Sequence, residues 1–68
     1  MIRIAVSQAA FEGVAAIRLG RIVYEPEPNP KGERLIWVER RALDRLEALR
    51  ALSEGYSDVI LRLVELWA

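Results

Sequence analysis

The spacing of apolar residues changes several times along the chain, and each change marks an element. Ile2, Ile4 and Val6 alternate with Arg3 and the small Ala5. That period of two predicts a strand. Ser7 then offers an N-cap, and Phe11, Val14, Ala15 and Ile17 recur at helical spacing. They predict one amphipathic helix over about residues 8 to 18, ending near Gly20. Two runs of β-formers follow, Arg21-Ile22-Val23-Tyr24-Glu25 and Leu35-Ile36-Trp37-Val38. Between them Pro26, Pro28 and Pro30 forbid helix and remove backbone donors, while Asn29 and Gly32 tolerate turn dihedrals, so a long hairpin loop is expected. From Glu39 onward the period becomes helical, with Ala42, Leu43, Leu46, Leu49 and Leu52 in one stripe. Ser53-Glu54-Gly55 interrupts it. A last helix is predicted from about Tyr56 to Trp67, with Val59, Ile60, Leu63, Val64 and Trp67 on its apolar face.

These elements predict a single α+β domain over residues 1–68. Residues 1–33 supply a short strand and helix, a second strand and the Pro-rich loop; residues 34–68 read as a strand-helix-helix unit. The strand ending at Val38 is apolar on both sides, Leu35 and Trp37 on one and Ile36 and Val38 on the other. Such a strand is expected to be covered on both faces. The Phe11 helix is expected on one face and the C-terminal helices on the other.

The chain has 68 residues with no Cys and no His. A core of this size supplies only about 3–5 kcal/mol, and small domains usually add disulfides, a metal or a second chain. Without Cys or His, a homodimer is the expected addition. Its interface is expected on Leu35, Ile36, Trp37 and Val38 and on the helix face of Val59, Ile60, Leu63, Val64 and Trp67. The chain is 53% hydrophobic and 29% charged, too apolar for disorder and too interrupted for a membrane span. A cytoplasmic location and no membrane contact are expected. No nucleophile with a base beside it, phosphate loop or metal-ligand spacing is present, so neither catalysis nor a cofactor or metal is expected. Ten basic residues balance ten acidic ones, so any attraction to nucleic acid must be local.

Arg34-Leu35-Ile36-Trp37-Val38, then Leu43-Asp44-Arg45-Leu46-Glu47-Ala48-Leu49, then Glu54-Gly55-Tyr56-Ser57-Asp58-Val59-Ile60-Leu61-Arg62-Leu63 resembles the ribbon-helix-helix proteins. The closest likeness is to small antitoxins paired with PIN-domain ribonuclease toxins. The resemblance implies a dimeric transcriptional regulator or antitoxin in which strands of two chains pair and enter the DNA major groove, while the second helix starts on a phosphate. Carried onto this chain, the phosphate contacts fall on Arg34, Arg40, Arg41 and Arg45, around the junction of strand and helix, and on Gly55, Tyr56 and Ser57. Operator DNA and a toxin are then the expected partners. In that register Ile36 and Val38 lie inside, and Glu33, Leu35, Trp37 and Glu39 turn outward. Antitoxins of this kind hold the toxin with a tail after the second helix, whereas Leu66-Trp67-Ala68 ends here. A protein partner is therefore expected on the N-terminal half, the acidic proline loop or the last helix. The alternative reading is a dimeric protein-interaction module that binds a protein partner and not DNA.

Overall fold

The computed structural model describes residues 1–17 and 19–67, the last without its side chain. It is a small α+β fold of one antiparallel sheet and three helices. Its order is β1 (Ile2–Val6), α1 (Gln8–Gly13), a 3₁₀ turn (Val14–Ala16), β2 (Ile22–Tyr24), β3 (Arg34–Val38), α2 (Arg40–Leu49) and α3 (Tyr56–Trp67). The sheet order is β1-β3-β2. Both edges of β3 are thereby used within one chain. Ile4 faces Ile36 and Arg3 faces Trp37 in the first pairing, and Val23 faces Trp37 in the second.

This register sorts the side chains of the sheet by face. Ile2, Ile4, Val6, Arg34, Ile36, Val38, Ile22 and Tyr24 share one face; Arg3, Ala5, Leu35, Trp37 and Val23 share the other. Ile4, Val6, Ile36 and Val38 join Ala10, Val14, Ala42, Leu43, Leu46, Val59 and Ile60 in one core. All the helices therefore lie on the same side. Among the described residues no helix covers the second face, because α1 turns back to pack on α3 rather than crossing to Leu35 and Trp37.

Local chemistry explains where the elements start and stop. Ser7 caps α1, its Oγ accepting the Ala10 N–H at 3.1 Å. The helix is shorter than its apolar spacing predicts: it tightens to 3₁₀ at Val14, and Ile17 is already extended. Val14 and Ile17 are both buried in the core, Val14 from the 3₁₀ turn and Ile17 from the extended residue that follows it. Gly20, at φ +87°, then redirects the chain into β2. In the loop between β2 and β3, Asn29 Oδ1 accepts the N–H groups of Lys31 and Glu33 at 3.0 and 2.9 Å. A side-chain acceptor thus replaces the ladder bonds that the prolines cannot make.

Candidate interaction surfaces

The second helix start, expected to hold a phosphate, is occupied by its own chain. Gly55 is the N-cap, its carbonyl accepting the Val59 N–H at 3.3 Å. The Gly55 N–H donates to Asp58 Oδ2 at 2.9 Å. Asp58 therefore puts a carboxylate where an anion would sit, satisfying the helix dipole from within. Ser57 Oγ accepts the Ser7 N–H at 2.8 Å, and the Tyr56 hydroxyl donates to Glu47 Oε1. The hydrogen bond to the Glu47 carboxylate, with burial and the charge of Glu47, raises the Tyr56 pKa above its ordinary value of 10.0, while Arg50 and Arg40 act the other way. Tyr56 and Ser57 thus tie α3 to α2 and to Ser7 after β1, while the exposed Gly55 is bonded within its own helix.

Arg34, expected among the phosphate contacts, is partly buried. It sits on the core face of β3 opposite Val6, and its guanidinium lies 4.4 Å from the centroid of the Phe11 ring. Phe11 in turn meets Tyr24 edge-on, with centroids 5.2 Å apart. Phe11 packs against the core and carries Arg34 and the half-exposed Tyr24 on its ring.

Arg40, Arg41 and Arg45 are exposed as expected, and Arg21 joins them. The pairing of Ile22 with Val38 puts Arg21 beside Glu39, whose Oε1 accepts the Arg21 N–H at 3.0 Å. Two depressions adjoin at Glu39. One, of about 140 Å³, is lined by Leu19, Gly20, Glu39, Arg41, Ala42 and Arg45; the other by Met1, Arg21, Glu39 and Arg40. Arg21 escapes sequence reasoning because only the register of β2 against β3 reveals its neighbours.

The expected dimer residues divide into four groups. Ile36, Val38, Val59 and Ile60 have 0% exposure inside this chain's own core and cannot also meet a second chain in this fold. Leu63 and Val64 pack against that core from its edge. The side chain of Trp67 lies outside the described residues. Leu35 and Trp37 remain, on the uncovered face of the sheet and only partly buried, next to Val23 at 49% exposure. Trp37 is held in place: Nε1 donates to Glu25 Oε2 at 2.8 Å, Arg3 pairs with Glu25 at 3.6 Å, and the Arg3 guanidinium stands 5.9 Å from the Trp37 ring centroid.

Among the described residues no cluster of three or more acidic side chains could hold a metal ion, and no helix is long and apolar enough to cross a membrane. Comparison with protein-family models, curated proteins and solved structures finds no match.

Proposed function

We propose that the protein is a dimeric protein-interaction module that receives a protein partner on the uncovered face of its sheet. The observation that carries this reading is Trp37, set with Leu35 and Val23 on a sheet face that no helix of the described residues covers. A fixed aromatic ring flanked by aliphatic side chains and rimmed by charge is the composition of a binding hot spot. Arg3 and Glu25 supply the rim and hold the ring's orientation before the partner arrives.

The second copy fits best along β1. β2 has only three residues and runs into Pro26 and Pro28, which blunt its edge. β1 has five residues and neither Pro nor Lys, and its outer edge is not hydrogen-bonded to a neighbouring strand. Pairing two copies there extends the sheet to six strands. Such a sheet is much wider than the two-stranded ribbon that a major groove of about 12 Å admits. The geometry therefore favours the protein-binding reading over insertion of a ribbon into DNA. The antitoxin resemblance makes a toxin protein the first partner to try.

A photo-crosslinking amino acid at Val23, in protein produced at native level in its own cells, tests the reading. A discrete heterologous adduct that disappears with Trp37→Ala supports it. Adducts with a second copy alone, or none, refute it.

A further inference from the structure

The arginines of this chain divide by what holds them, and the division identifies a second site. Arg3, Arg50 and Arg62 pair with Glu25, Glu47 and Glu54. Arg34 is stacked on Phe11. The other described arginines are Arg21, Arg40, Arg41 and Arg45, and among the described residues no carboxylate forms an ion pair within 4 Å of their guanidinium groups. These four are also the ones that border the two depressions on either side of Glu39. In a chain of net charge zero, four unpaired guanidinium groups thus gather beside Glu39, while Lys31, also outside the ion pairs, stands in the proline loop. Of the acids beside them, Glu39 is turned onto the Arg21 backbone N–H at 3.0 Å, and Asp44 is exposed on α2 one turn from Arg40 and Arg41.

We infer that this end binds the phosphate backbone of nucleic acid, independently of the sheet face and of any partner protein. Arg41 and Arg45 lie one turn apart on α2 and project on the same side. Arg40 and Arg21 extend the row across Glu39 to the start of β2. Guanidinium groups suit phosphate because their planar donors pair with two oxygens at once. A lipid surface fits less well: Met1 is the only exposed large apolar side chain among the lining residues, whereas membrane-surface sites combine basic charge with a buried apolar face. The contacts reach backbone oxygens and carry no base reading, so binding is insensitive to sequence and falls with salt.

The test is fluorescence anisotropy of the whole protein with a labelled duplex of mixed sequence, at about 50 and 200 mM salt, beside vesicles of anionic lipid. With about three phosphates engaged per chain, affinity should fall by roughly 50-fold between the two salt concentrations. Arg41→Gln with Arg45→Gln should weaken binding at low salt by about tenfold or more. Arg21→Gln with Arg40→Gln should do the same, whereas Arg50→Gln with Arg62→Gln should leave it unchanged. Circular dichroism confirms that each variant is folded. No binding to the duplex at the lower salt, equal loss in the Arg50 and Arg62 variant, or binding to the vesicles alone overturns the assignment. Trp37→Ala should not alter the anisotropy, so this site and the protein-binding face stand or fall separately.

Discussion

The backbone N–H of Ser7 donates to the Oγ of Ser57 at 2.8 Å, joining residues 50 positions apart. Ser7 ends the first strand and caps α1 with its own Oγ, so one residue ties β1, α1 and the start of α3 together. Ser57→Ala leaves the Ser7 N–H partly buried without its acceptor. The expected loss is about 1–2 kcal/mol, read as a lower urea midpoint with unchanged slope.

Gly13 lets α1 approach α3 closely at Val64. A Cβ placed there would stand 2.8 Å from Val64 Cγ2, nearer than real side chains come. Gly13→Ala gains up to about 1 kcal/mol of helix propensity, but overpacking at a branched neighbour costs about 1–3 kcal/mol. The net effect expected is a lower melting temperature. An unchanged or higher one would mean that the two helices can separate without cost.

Tyr56 makes stability fall at alkaline pH. Its folded pKa is raised, chiefly by the hydrogen bond to Glu47, so the fold favours the neutral phenol. That contribution is complete below the unfolded value near 10 and is lost as pH rises through the folded value. Tyr56→Phe removes the titration, and its stability between neutral pH and about pH 11 should decline less than that of the parent.

Asn29 organises the proline loop through its side-chain oxygen. Asn29→Ala should cost about 1 kcal/mol and increase proteolysis between Glu25 and Glu33 before the rest of the chain is cut. Mass spectrometry of limited digests shows where the first cuts fall.

Sedimentation equilibrium at micromolar concentration should give twice the 7.7 kDa chain mass if β1 pairs with β1 of a second copy. A folded species of 7.7 kDa alone would remove the dimer while leaving the uncovered sheet face available to a partner.

Much of the fold is legible in the spacing of side chains. Ile2, Ile4 and Val6 declare their strand, and Ile36 and Val38 lie inside as the stripe of Ala42, Leu43 and Leu46 requires. Ser7 is readable as a cap because capping is local chemistry. Partners distant in sequence are less accessible. Nothing in residues 34–38 shows that strands take both of their edges, and that pairing removes the ribbon which the local likeness implies. The same limitation concealed the Phe11 ring against Arg34 and the approach of Arg21 to Glu39. The acid at Asp58 is readable as favourable to the helix dipole, but its bond to the Gly55 N–H becomes evident only in three dimensions.

The central place of β3 also governs how the chain can be made. β1 leaves the ribosome first and has no strand to join until Arg34–Val38 follows, and the core closes only when Val59 and Ile60 arrive. At 5–20 residues per second the interval from Val6 to Ile60 lasts roughly 3–10 s. Until then Ile2, Ile4 and Val6 lack both their partner strand and their complete core, because the sheet closes through contacts distant in sequence.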